Sequence, residues 1–208
     1  DGADDAAKPD AAADADDADD GNAKAAAAFN ELSILLNETL PQCFNAERAD
    51  ECAAKFCFHN TKSGRKRLVR ALFACPRQAL ELLPMYARVA AVLDVGSLKE
   101  VAPALCDELR REFRGLYRKK SVHTLELRLR NVRFLAELVK FGAAPPSLAF
   151  GCLKACLDDF AGPNVDVTCA LLEGCGRYLA HAPHTKSRAH NLLEIMMRLK
   201  KAKAFDAR

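Results

Sequence analysis

Residues 97–118 read SLKEVAPALCDELRREFRGLYR, and their spacing decides the fold class. Leu98, Val101, Ala102, Leu105, Leu109, Phe113 and Leu116 recur at the i, i+3, i+4, i+7 intervals of one helix face. Ser97 and Glu100 form a capping box at the start, where each side chain can satisfy an orphan backbone N–H. The opposite face carries Arg110, Arg111, Arg114 and Arg118. This is an amphipathic helix with a basic outer surface.

The same periodicity extends in both directions. Upstream, Phe29, Leu32, Leu36 and Leu40 form one stripe; Ala49, Cys52, Ala53, Phe56 and Cys57 form the next, after a break at 41–45. A helix starting near Lys62 follows, and Pro84 inside the segment 76–94 predicts a kink or a split. Downstream, 123–141 opens with Leu125, Leu127 and Leu129 alternating with charged residues, a strand-like start. Beyond it Val132, Leu135, Leu138 and Val139 restore the helical period, and Glu126–Arg130 and Arg133–Glu137 stand at pairing distance i, i+4. Length favours a helix.

Gly142 supplies a stop and Pro145–Pro146 a fresh start. Ala149, Cys152, Leu153, Cys156, Leu157 and Phe160 line one side of 146–160. After the Gly162–Pro163 break, Asn164 is placed to cap a helix burying Thr168, Leu171, Leu172, Cys175 and Leu179. Gly174 and Gly176 there would let helices approach closely. Pro183 precedes a last helix, 185–203, marked by Leu192, Leu193, Met196 and Leu199. Its apolar face has no following partner, so the domain is expected to continue beyond residue 208. Helix pairs therefore begin near 25, 61, 97 and 146, the spacing of an all-α solenoid of antiparallel hairpins.

Charge divides the chain in two. Residues 1–24 hold nine Asp and two Lys, a balance of −7, against 29 basic and 19 acidic residues, a balance of +10, in the remainder. An Asp/Ala tract cannot bury enough surface to offset its ordering entropy, so 1–24 reads as a disordered acidic arm or linker and 25–208 as the folded domain. A basic folded part favours an acidic partner, RNA or protein. No apolar run is long enough for a membrane span and no apolar segment at the N-terminus suggests a signal peptide, so a soluble intracellular protein is expected. Nine cysteines at irregular spacings, without a Cys-x-x-Cys pair, read as reduced core residues; Cys52, Cys106 and Cys169 sit where small apolar residues would.

Two basic clusters are the candidate contacts for RNA phosphates or an acidic partner. The first is Lys62, Arg65, Lys66, Arg67 and Arg70; the second is Arg110, Arg111, Arg114, Arg118, Lys119 and Lys120. Only Tyr117 is interleaved with the second, which argues against base stacking and for sequence-blind contact or an acidic docking segment. Cys152 with Cys156, and His181 with His184, could approach a metal, but the cysteines lie on the apolar stripe and core packing is the better reading. Gly174-Cys175-Gly176 follows no strand and is no phosphate loop. Neither nucleophile motifs nor paired carboxylates appear, and no enzyme, cofactor, metal or small-molecule substrate is expected.

One block is specific enough to carry a resemblance. Asn60-Thr61-Lys62, Arg65 through Phe73, Pro76-Arg77-Gln78 and Leu82 through Arg88 resemble the regulator of nonsense transcripts 2 family, scaffolds of nonsense-mediated mRNA decay. The likeness continues through Arg118-Lys119-Lys120, Val132-Arg133-Phe134, Cys152-Leu153-Lys154, Leu171-Leu172-Glu173 and Asp206-Ala207-Arg208, covering roughly residues 40–208. The chain looks most like the second of that family's domains related to the middle domain of eukaryotic initiation factor 4G. Ala136 departs from the Gly usual in the superfamily string Val-Arg-Phe-x-x-Glu-Leu-x-Lys-Phe, which implies a different helix contact.

The resemblance implies a HEAT-like, armadillo-type fold and a non-enzymatic scaffold or spacer domain, a platform presenting helical surfaces for assembly of the mRNA surveillance complex. The family's platform joins the up-frameshift helicase, its kinase and the exon-junction-bound factor, in the cytoplasm or at its perinuclear edge. No binding residue carries over to this segment. The alternatives are a sequence-nonspecific RNA-binding module using the basic faces, or a domain that docks a DEAD-box helicase as the initiation-factor domain does.

Overall fold

The computed structural model describes residues 26–202, except 97 and 120–121 and the side chains of 75–78 and 122. The proposed acidic arm, Ser97 of the capping box, Lys120 and the 206–208 motif lie outside the described residues.

Helix α1 occupies 26–34 of the described chain and runs on through a π turn, Leu35–Thr39, and a 3-10 turn, Leu40–Gln42. Pro41, with no N–H to donate, sits in the 3-10 turn that ends this run. Asn45 then caps α2 (Ala46–Cys57), its Oδ1 accepting the Arg48 N–H at 2.8 Å. Thr61 performs the same service for α3 (Lys62–Gln78), its Oγ1 accepting the Gly64 N–H at 2.9 Å. A Cβ on Gly64 would stand 2.6 Å from the carbonyl oxygen of His59, so this first turn of α3 requires glycine.

The expected interruption at Pro84 is a split. A 3-10 turn, Leu80–Leu82, separates α3 from α4 (Leu83–Val95), with Pro84 in the first turn, where a missing N–H costs nothing. Then come α5 (Val101–Lys119) and α6 (Leu125–Lys140), so the strand-like opening of 125–130 is helical. Gly142, at φ +77°, takes the left-handed conformation that ends α6, and Pro146 starts α7 (Pro146–Asp158). Helices α8 (Pro163–His181) and α9 (Lys186–Ala202) complete the described chain.

The helices form the hairpins expected from the spacing: α1/α2, α3/α4, α5/α6 and α7/α8, with α9 packed on α8. Helices α2, α4, α6 and α8 pack successively into one layer. Helices α3 and α5 pack side by side across it, and α7 lies against α6 and α8. Every apolar residue of the 97–118 stripe is buried, from Leu98 to Leu116. Leu98 through Phe113 and their counterparts on the neighbouring helices form one continuous core.

Helices α6 and α8 approach each other closely. A Cβ on Gly174 would stand 2.5 Å from the Cβ of Ala136, so the close contact expected of Gly174 is real, and Ala136 fills the space it leaves. Gly176 plays no such part; a Cβ there would make ordinary contact with Leu172 of its own helix.

Five further sequence expectations are corrected. Phe29 is 57% exposed, because it lies at the outer edge of α1 and receives a guanidinium, not the core, on its ring. Cys57 is exposed at the last position of α2, where the helix runs out beyond the buried Phe56. Cys169 is exposed, one position off the buried stripe of Thr168, Leu171 and Cys175. Gly162, not Asn164, holds the N-cap position of α8, since Pro163 already starts the helix; Asn164 is buried. Glu137 pairs with Lys140 at 2.7 Å, the partner one turn on, instead of the expected Arg133; Glu126 and Arg130 do pair, at 2.8 Å.

Candidate interaction surfaces on the odd-numbered helices

The first basic cluster divides between structure and surface. Arg67 is spent on tying α3 to α1. It donates to Ser33 Oγ at 2.7 Å and lies over the Phe29 ring at 4.1 Å. Arg65 reaches the start of α5, with its Nε 3.0 Å from a Glu100 carboxylate oxygen, and donates to Asn60 Oδ1 at 2.6 Å. Lys62, Lys66 and Arg70 remain exposed at intervals of four, with no ion pair among the described residues. Three free cations on one helix face are what sequence-blind contact with phosphates or carboxylates requires.

The second cluster is brought together as expected. Arg110, Arg111, Arg114 and Arg118 line a single concavity along α5, together with Asp107 and Gly115. Two of the four are partly neutralised within the helix: Arg110 pairs with Asp107 at 3.2 Å and Arg111 with Glu108 at 3.1 Å. Arg114, Arg118 and Lys119 are exposed, and Arg114 and Arg118 have no ion pair among the described residues. Beside this stripe α5 and α7 enclose a groove of about 270 Å³ that Arg110 and Arg114 border, floored by Phe113, Leu148, Cys152 and Ala155.

Tyr117, the one aromatic residue within the basic stripe, is not presented for stacking. Its hydroxyl donates to the Ala155 carbonyl at 2.8 Å, and its ring stacks on Phe113. Behind it lies a residue that nothing in the sequence pattern singles out. Arg128, 2% exposed, donates to Asn164 Oδ1 and faces the Tyr117 ring at 5.7 Å, while its Nε finds no partner. Asn164 in turn donates to the Asp159 carbonyl at 2.7 Å. The network binds α5, α6 and α8 together with the loop after α7. In sequence Arg128 is one more charged residue in the 125–130 alternation, and its partner lies 36 positions away.

Burial pushes the Cys106 and Cys175 thiols up to about 11 and Cys152 to about 12, so these side chains stay protonated. Cys152 and Cys156 are buried on the core side of α7. Among the described residues no three His, Cys, Asp or Glu side chains converge as metal ligands would. No described helix is long and apolar enough to cross a membrane.

The fold and surfaces define a stack of helical hairpins that presents charged outer helices around a continuous core. Residues 29–208 match the MIF4G domain family, and the chain belongs to it. It is 45% identical over 172 residues to the human regulator of nonsense transcripts 2, and 44% identical over 173 residues to the regulator of nonsense transcripts UPF2 of Arabidopsis thaliana. These alignments cover 82% and 83% of this chain, but only 13% and 15% of the relatives. A nonsense-mediated mRNA decay protein 2 from Schizosaccharomyces pombe is 36% identical over 165 residues, 79% of this chain and 16% of that protein. Within the MIF4G family, the chain is thus of the UPF2 type, and the resemblance read from residues 60–88 is upheld.

Proposed function

We propose that this chain is a non-enzymatic scaffold segment of a nonsense-mediated decay factor, working in the cytoplasm beside other proteins of the surveillance complex. The carrying observation is its identity of 44–45% to regulators of nonsense transcripts along more than four-fifths of its length. The architecture suits the role: hairpins sharing one core hold the outer helices at fixed spacing. The test is replacement, within the whole factor, of this segment by an unrelated hairpin stack of the same length. A premature-stop reporter message should rise and complex partners should be lost from pull-downs. Full function of the replaced factor would reduce the segment to a spacer and overturn the scaffold reading.

A second reading, direct RNA contact, is favoured by one observation: Lys62, Lys66 and Arg70 are exposed without ion pairs among the described residues. Fluorescence anisotropy with a short unstructured RNA tests it. Binding should weaken steeply with salt and be lost in K62E/K66E/R70E. No binding at low salt would remove this reading and leave the first intact.

A further inference from the structure

The groove between α5 and α7 is bare where a helix normally presents a side chain. Gly151 stands on the exposed side of α7, and a Cβ there would meet nothing within 4 Å. Glycine within a helix costs about 1 kcal/mol relative to alanine, and no turn or positive φ requires it here. Its effect is to leave open a trough whose floor is apolar, with Phe113, Leu148 and Cys152 buried beneath it. Along the α5 wall stand Arg110 and Arg114, with Arg118 one turn further. Arg114 and Arg118 have no ion pair among the described residues.

We propose that this groove docks a short acidic peptide segment of a partner protein, seating an apolar side chain over Gly151 while its carboxylates meet Arg114 and Arg118. The two halves of the site argue for a peptide over a nucleic acid. A phosphate backbone would use the arginines but has no use for a trough floored by Phe113, Leu148 and Cys152. Base stacking is not on offer either, because Tyr117 is turned inward onto Ala155 and Phe113. An acidic segment with one or two large apolar residues satisfies both the charged wall and the apolar floor. This assignment rests on the scaffold reading and gives it a partner chemistry.

The test uses the full 208-residue chain and two labelled peptides rich in Asp and Glu. One carries a Phe and a Leu, and its match has Ser at both positions. The first should bind, with the Ser match weaker by about tenfold or more, the loss expected when an apolar anchor is removed. Gly151→Phe fills the trough and should weaken the Phe/Leu peptide by a similar factor while leaving the urea midpoint equal or higher. R114E/R118E should abolish binding and its salt dependence. A short oligo(U) RNA is the comparator. The proposal is overturned if neither peptide binds at low salt, or if Gly151→Phe leaves peptide binding unchanged. It is also overturned if oligo(U) displaces the peptide and its own binding is lost in R114E/R118E yet kept in Gly151→Phe. Each of these results would leave the reporter experiment on the scaffold reading unaffected.

Discussion

The Cβ of Ala136 on α6 occupies the space that a Cβ on Gly174 of α8 would need, at a separation of 2.5 Å. One side chain fills a contact that has room for only one. Gly174→Ala adds a good helix former, a gain of about 1 kcal/mol, but drives two methyl carbons together in a close-packed layer. Overpacking of that kind costs about 1–3 kcal/mol, and the backbone of both helices is held by its other neighbours, so we expect a net loss. Urea denaturation should show it, and the exchanged pair Ala136→Gly/Gly174→Ala should recover most of it. A double variant no better than Gly174→Ala would mean the contact is not the cause.

Asp50 on α2 and Arg88 on α4 make a two-pronged pair, with Arg88 Nε and Nη2 donating at 2.8 and 2.7 Å. The Arg88 hydrogen bond holds the Asp50 carboxyl below its ordinary 3.8. A carboxylate with a lowered folded pKa contributes stability above its unfolded pKa and loses it as pH falls through the folded value. Wild type should therefore exceed Asp50→Asn in thermal midpoint near neutrality, and the two curves should converge below about pH 4. Because both side chains are at least a third exposed, the gap should shrink in high salt. A constant gap across pH would show that the substitution removes packing, not charge.

Asn164 holds the oxygen to which the buried guanidinium of Arg128 donates. Asn164→Ala leaves that charge with less compensation, and a hydrogen bond to a charged group contributes about 1.5–3 kcal/mol. We expect a loss of about 2 kcal/mol or more in equilibrium unfolding. The exposed R114E/R118E, by contrast, should stay within about 1 kcal/mol of wild type. Equal effects would sink the view that Arg128 is structural and Arg114 is not.

Of the eight cysteines whose side chains are described, only Cys57 and Cys169 are exposed. Cys52 is held as a thiol by its hydrogen bond to Cys43 and by burial, and Cys106, Cys152 and Cys175 are raised by burial. Iodoacetamide at about pH 8 followed by peptide mass spectrometry should label Cys57 and Cys169 rapidly and the buried six only on unfolding. Rapid labelling of Cys152 would mean that α7 opens readily, and a fixed trough beside α5 would then be untenable.

The hairpins were legible because each helix announces its buried stripe locally. Leu98 through Leu116 need no knowledge of what they pack on, and Gly142, Pro146 and Pro84 mark boundaries by backbone chemistry alone. The use made of each arginine was not legible. Arg65, Arg67 and Arg70 are nearly equivalent in sequence, yet Arg65 ends on Glu100, Arg67 on Ser33 and Phe29, and Arg70 in solvent. Those fates depend on residues 34 or more positions away. Arg128 was invisible for the same reason, and Gly151 because an open space leaves no pattern in a sequence.

The hydroxyl of Tyr117 has a consequence for how the stack can be divided. Ala155 belongs to the last turn of α7, where carbonyls lack partners within their own helix. The donor that satisfies it comes from the preceding hairpin. A cut in the turn at 141–145, although it falls between helices, parts that donor from its acceptor and strips the Arg128–Asn164 link as well. The C-terminal half would lose the donor that finishes α7, and the N-terminal half the oxygen that receives its buried Arg128. The natural severable unit is larger than the repeat.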